Sequence, residues 1–138
     1  MKAFHLEILS PDRPFFVGDC VSVTVPIGDG MIGIMAGHSP LIAAVVPGEV
    51  TYVLPDGESF TAAVTQGLIN VSPEGARLLC DSVLRPEEID EEAEKRDAEL
   101  AMANMKRGQS YRDYKLAQLT FARAVNNLRV KNKKNMNN

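Results

Sequence analysis

Apolar and polar residues alternate with period two over the first 86 positions and then change period. Phe4-His-Leu-Glu-Ile-Leu9 and Cys20-Val-Ser-Val-Thr-Val25 alternate and carry aliphatic and β-branched residues, which predicts half-buried strands, with Pro11-Asp-Arg-Pro14 as a turn between them. Gly48 to Leu54, the turn Pro55-Asp-Gly57 and Ser59 to Thr65 read as one hairpin. Leu68-Ile-Asn-Val71, the turn Ser72-Pro-Glu-Gly75 and Ala76 to Cys80 read as another. Eight or more short strands with no helix among them predict a β-sandwich or barrel.

After Pro86 the period becomes helical. Pro86 sits where a helix would start, Glu87 and Glu88 suit the positive end of its dipole, and Ile89, Ala93, Leu100 and Ala103 recur on one face. Arg107-Gly108-Gln109-Ser110 breaks that helix, and Ser110 is placed to cap a second one. The main stripe of the second helix is Tyr114, Ala117, Phe121, Val125 and Leu128, with Leu116, Leu119 and Val130 on another side. Lys131 to Asn138 reads as a frayed polar tail. Those three off-stripe residues are either scattered surface positions or a second face that exchanges partners. The expected organisation is therefore α+β and mainly β: a sandwich of about ten strands over residues 1–85, then an antiparallel helical hairpin over 86–138. The seam of the hairpin is mostly alanine, so its burial contributes little, on the order of 0.8 kcal/mol per CH₂. A hairpin held so weakly is able to open.

Charge divides the chain at the same place. Residues 1–86 carry four Lys/Arg against nine Asp/Glu, and residues 87–138 carry eleven against nine, so net charges of −5 and +2 make up the total of −3. Within the second part, Glu87 to Ala101 holds eight acids and two bases, whereas Met102 to Asn138 holds nine bases and one acid. At 138 residues and 45% hydrophobic content, one modest core with an appended element is expected. The N-terminus turns acidic without an apolar stretch, so no secretory signal is expected, and no run is long enough to span a membrane. Cys20 and Cys80 stand sixty positions apart with no His or Cys beside either, which is neither zinc spacing nor a disulfide framework.

Candidate chemistry is sparse. Gly28-Asp-Gly30-Met-Ile-Gly33 has the spacing of a dinucleotide-binding loop, but it continues into Ile34-Met-Ala-Gly37-His-Ser-Pro40 and not into a helix whose N–H groups would face a phosphate. His38 beside that loop has no carboxylate to orient it and no nucleophile elbow near it, so it reads as structural or as an interface contact. The acids from Glu87 to Glu94 lack calcium-loop spacing and spread around a helix, so no metal site is expected. No catalytic residue and no nucleic-acid surface emerges.

The residues do resemble one family, the epsilon subunit of F-type ATP synthase, over nearly the whole chain. The resemblance rests on Phe4-His-Leu-Glu-Ile-Leu9, Pro14-Phe-Phe-Val-Gly18, Asp29-Gly30-x-x-Gly33-Ile-x-x-Gly37-His38-x-Pro40-Leu41, Gln66-Gly67-x-x-x-Val71, Leu79-Cys-Asp81-Ser82, Arg123-Ala124 and Leu128-Arg129-Val130. It implies a non-catalytic rotor subunit that couples ion-driven rotation of the c-ring to ATP synthesis. The partners implied are the gamma subunit, the c-ring and the alpha/beta catalytic head, on the cytoplasmic face of a bacterial membrane, with the chloroplast thylakoid as the alternative, and with membrane contact only through the complex.

Residue by residue, the resemblance puts Met31, Gly37, His38, Pro40 and Leu41 at the c-ring and gamma interface. It puts the second-helix cations Arg112, Lys115, Arg123 and Arg129, with Lys131, Lys133 and Lys134, against the catalytic head, where a hairpin extended along gamma blocks hydrolysis. Some members bind ATP through an I/L-D-x-x-R-A motif on the first helix with arginines on the second. Here Ile89, Asp90 and Arg123 match, but Ala93 and Glu94 stand in the motif and Leu116 and Asn127 replace two arginines. Most of the phosphate-facing charge is missing, so a degenerate nucleotide site with weak or absent ATP binding, and no cofactor, is expected. Met31 stands where relatives carry an acid facing the ring, which makes that contact apolar. The alternative is a free-standing binding module in which sandwich and hairpin clamp some other ligand or protein.

Overall fold

The computed structural model describes residues 2–107 and 110–136, and the predicted break at Gly108 and Gln109 lies outside them, as do Asn137 and Asn138. The chain divides into two compact units, residues 1–84 and 85–138.

The first unit holds ten strands: β1 (Phe4–Leu9), β2 (Pro14–Cys20), β3 (Ser22–Ile27), β4 (Gly30–Ile34), β5 (Leu41–Val45), β6 (Gly48–Val53), β7 (Ser59–Val64), β8 (Gly67–Ser72), β9 (Gly75–Cys80) and β10 (Val83–Leu84). Their order is β10-β7-β6-β3-β5-β8-β9-β1-β2, with β4 on the other side of β3. The sheet folds over at β3, whose Ser22–Thr24 pair with β6 while Ile27 pairs with Val45 of β5. Most neighbours are antiparallel, with β1/β2, β3/β4, β6/β7 and β8/β9 as hairpins, but β1 lies parallel to β9, with Leu6 opposite Ala76 and Leu9 opposite Leu79.

Alternation decides the core. In β1, β6 and β9 every second side chain points inward. Leu6, Ile8, Val23, Val25, Ile34, Val50, Val64, Ile69 and Leu78 are fully enclosed. Phe16, Tyr52 and Phe60 add an aromatic row, with ring centroids 4.8 and 5.6 Å apart. Leu78 is 0% exposed at the centre of this core. Leu78→Ala is expected to cost about 3 kcal/mol, read as a fall of roughly 15 °C in the thermal midpoint of the sandwich; a fall under 5 °C would mean the core closes around the cavity.

Two strand boundaries differ from the sequence expectation. Cys20 to Val25 is not one strand, because Cys20 ends β2, Val21 donates its N–H to the Val53 carbonyl at 2.8 Å, and β3 starts at Ser22. Pro14–Gly18 is itself part of β2, an edge strand, where a proline at the first position loses no ladder bond.

The second unit is a 3₁₀ turn at Pro86–Glu88 followed by α1 (Glu91–Arg107) and α2 (Tyr111–Met136). Here three expectations are corrected. The first α-helix begins after Asp90 and not at Pro86, because the Asp90 carboxylate accepts the Ala93 N–H at 3.2 Å and caps it. The inward face of α1 differs as well: Ala101 is buried, whereas Leu100 and Ala103 are exposed. Nor does Lys131 to Met136 fray, since α2 continues through it. Ser110 does cap α2, accepting the Asp113 N–H at 3.0 Å. On α2 itself, Ala117, Ala124 and Val130 are buried, Val125 is exposed, and Leu116 and Leu119 are 54% and 48% exposed.

Candidate functional site

Strand β4 ends in a turn built by Met35 to Pro40. Gly37 takes φ +82°, a conformation that side chains resist, and the His38 N–H closes the turn on the Met35 carbonyl at 3.2 Å. The His38 Nδ1–H donates to the Ser39 carbonyl at 2.7 Å, which fixes the ring beside the backbone and leaves Nε2 as the outer nitrogen. This bond ties the ring to the backbone of the turn.

Gly37, His38 and Pro40 line one cleft of about 480 Å³ with Ile34, Met35, His5 and Glu74. Met31 and Leu41 are not in that lining. Met31 projects from β4 at 56% exposure, and Met35, which the sequence reading passed over, is 54% exposed at the end of the same strand. Met31 lies on β4 and Met35 immediately follows its last residue, and two methionines four positions apart beside the glycine loop were the available signal. Two exposed thioethers on an uncharged strand make an apolar, adaptable surface.

The cations of α2 divide by partner. Lys115 donates to the Gln118 side chain at 3.3 Å and lies 5.6 Å from the Tyr111 ring, and Arg129 donates to Asn126 Oδ1 at 2.7 Å. Arg123 instead crosses to α1 and meets Asp97 at 2.8 Å. Arg112 is exposed near the start of the helix. The three residues of the nucleotide motif are separately engaged: Ile89 is buried, the Asp90 carboxylate is spent on capping α1, and Arg123 is held by Asp97. Glu94, at a motif position, accepts from the Asn127 amide at 3.1 Å. Arg123 and Asn127 are thus both paired with carboxylates of α1.

Both cysteines are buried. Burial, reinforced by Asp81, pushes the Cys80 thiol up to about 12, and burial with Asp19 pushes Cys20 to about 11. Neither is a nucleophile at neutral pH. Among the described residues no three His, Cys, Asp or Glu side chains form a group able to hold a metal, and no helix is long and apolar enough to cross a membrane.

A β-sandwich that exposes methionines on and just after β4, followed by a helical hairpin joined through alanines and polar pairs, defines the class: a two-part sandwich-and-hairpin chain. The profile of the family described as ATP synthase, Delta/Epsilon chain, beta-sandwich domain matches residues 3–86. The chain is 33% identical over 135 residues to the ATP synthase epsilon chain of Ruminococcus albus, covering 97% of this chain and all of that one. It is 32% identical over 134 residues to the epsilon chain of Ruminiclostridium cellulolyticum, covering 97% and 99%. Its fold is similar to that of a chain in the Euglena gracilis mitochondrial ATP synthase, OSCP/F1/c-ring in rotational state 1, with a TM-score of 0.73, 18% identity and coverage of 86% and 75%. The chain belongs to the ATP synthase delta/epsilon family, and it is a non-catalytic subunit of the F-type enzyme.

Proposed function

We propose that this chain is the central-stalk rotor subunit that transmits c-ring rotation to the catalytic head and brakes ATP hydrolysis with its hairpin. The observation that carries the reading is the likeness to epsilon chains over 97% of the chain, sandwich and helices together. The complex is membrane-associated, and this subunit joins it peripherally on the cytoplasmic face, through partners. Torque passes only through parts that do not yield. The sandwich, with its enclosed aliphatic core and a continuous ladder of paired strands, is such a part. We assign the contact with the c-ring and gamma to Gly37, His38 and Pro40 on the hydrogen-bonded turn, with Met31 on β4 and Leu41 at the start of β5.

We assign the brake to α2, with Arg112, Lys115, Arg123 and Arg129 meeting acidic loops of the head. ATP is not its ligand in this reading, because Asp97 and Glu94 occupy the groups that phosphates would need. The test is ATP hydrolysis by the assembled head with the full chain and with a truncation ending at Leu84. Truncation is expected to raise the rate severalfold while gamma binding persists. An unchanged rate with gamma still bound would remove the brake and leave coupling alone.

A further inference from the structure

Four residues of α2 at helical spacing, Arg123, Asn127, Lys131 and Lys134, lie on one face and are all engaged by groups from the N-terminal half of the same unit. Arg123 Nη2 meets Asp97 Oδ2 at 2.8 Å, and the Asn127 amide donates to Glu94 Oε1 at 3.1 Å. Lys131 Nζ donates to the Pro86 carbonyl at 3.1 Å, and Lys134 Nζ lies 3.8 Å from Glu87 Oε1. The acceptors descend through α1 into the 3₁₀ turn as the donors ascend α2, so the two run as an antiparallel zipper. The acidic stretch from Glu87 to Ala101 and the basic stretch after Met102 are its two halves.

We propose that this zipper is an internal mask: Glu87, Glu94 and Asp97 occupy the α2 face that an acidic partner would otherwise bind, and screening by salt unmasks it. The proposal rests on the reading of α2 as a helix that meets acidic loops, and it adds what holds that face back. The apolar part of closure is slight. Among the described residues of this unit, the buried apolar side chains are Pro86, Ile89, Val130 and three alanines. The ionic part is accessible to solvent, with Arg123 and Asp97 side chains 36% and 45% exposed and Lys134 and Glu87 44% and 63% exposed. Pairs this exposed lose their attraction as the screening length shrinks from about 10 Å at 0.1 M salt to about 3 Å at 1 M.

The zipper is also incompletely satisfied. Glu94 Oε2 and Arg123 Nε are buried without a hydrogen-bond partner, and opening returns both to water. A mask must hold without locking, and two undischarged groups inside a solvent-screened ladder meet that need. An acidic partner then competes with Glu87, Glu94 and Asp97 for the same donors, so recognition and opening are one event.

Hydrogen exchange on the isolated full-length chain, read peptide by peptide at 0.05 M and 1 M NaCl, tests this without the catalytic head. Exchange within 91–107 and 111–136 is expected to rise severalfold with salt while the strands of the sandwich keep their protection. Asp97→Asn and Lys134→Met are each expected to speed low-salt exchange roughly two- to fivefold and to flatten the salt dependence. The charge-swapped pair Asp97→Arg with Arg123→Asp is expected to restore slow exchange, with sandwich protection reporting that each variant is folded. Helix exchange that is unchanged or slower at 1 M NaCl, or that rises equally in the sandwich, overturns the mask. Failure here leaves the truncation experiment standing, because a brake held closed by other means would still be released by removing it.

Discussion

Gly67→Ala is expected to leave the sandwich unfolded or nearly so. Gly67 opens β8 and is paired on both sides, with Val45 of β5 and Cys80 of β9. A Cβ added there would overlap the Leu79 carbonyl oxygen and lie 2.8 Å from Cys80 Cα and 2.9 Å from its Sγ. The first two obstacles are backbone and have no rotamer to yield. Strand β9 cannot retreat either, since β1 is hydrogen-bonded to its far side and Leu78 and Cys80 are set in the core. The cost is expected to exceed about 4 kcal/mol, a large part of the stability of a domain this size. Urea unfolding measures it. Gly28→Ala is the control, because nothing lies within 4 Å of its added carbon, and a shift under about 0.5 kcal/mol is expected there. A near-normal midpoint for Gly67→Ala would show that β8 and β9 separate at no cost, and the pairing described here would be wrong.

Alkali is expected to weaken the fold through Cys80. Its thiol is raised from 9.0 to about 12 in the folded chain, first by burial and then by Asp81. Because the folded value is the higher one, the folded protein keeps a proton that the unfolded chain has released. Stability is therefore unaffected below about pH 9 and falls as pH rises toward 12, by about 1.4 kcal/mol per pH unit. Between pH 9 and 10.5 this amounts to about 2 kcal/mol from Cys80, and Cys20, raised to about 11, acts in the same direction. Urea midpoints of the parent and of Cys80→Ala at pH 8 and pH 10.5 separate the effect. The variant starts lower, having lost the sulfur's packing, but its decline with pH is expected to be shallower by that amount. Parallel declines would show that the thiol ionises in place and that Cys80 is open to water.

Much of the sandwich was legible because its determinants are local. A period of two in β1, β6 and β9, and turns such as Pro55-Asp-Gly57 and Ser72-Pro-Glu-Gly75, each specify a strand or a reversal within ten residues. The break at Val21 was not legible. Residues on both sides of it favour strands equally, and what ends β2 is a hydrogen bond from Val21 to Val53, far along the chain. In the hairpin, helix content was readable but helix phase was not. Ile89, Ala93, Leu100 and Ala103 form a plausible stripe by spacing, but Ile89 lies before the Asp90 cap, and packing against α2 buries Ala101 while Leu100 and Ala103 stay exposed.

The candidate residues divide in the same way. The turn from Gly37 to Pro40 stands out in sequence because glycine and proline restrict or free the backbone by themselves. The basic character of α2 is equally plain, being a matter of composition. Which cations are engaged is not, because Arg123 and Asp97 are 26 positions apart and Lys131 and Pro86 are 45 apart. By itself, then, the sequence determined the kinds of element, their order, the boundary near residue 85 and the segregation of charge, since each follows from residues within a turn or two of one another. Only the tertiary structure decided that β1 lies beside β9, that Gly67 has no room for a methyl group, and that the cations of α2 face the acids of α1. Those outcomes depend on distances between segments that no local preference specifies, and they are set when the chain closes its core and pairs its charges together.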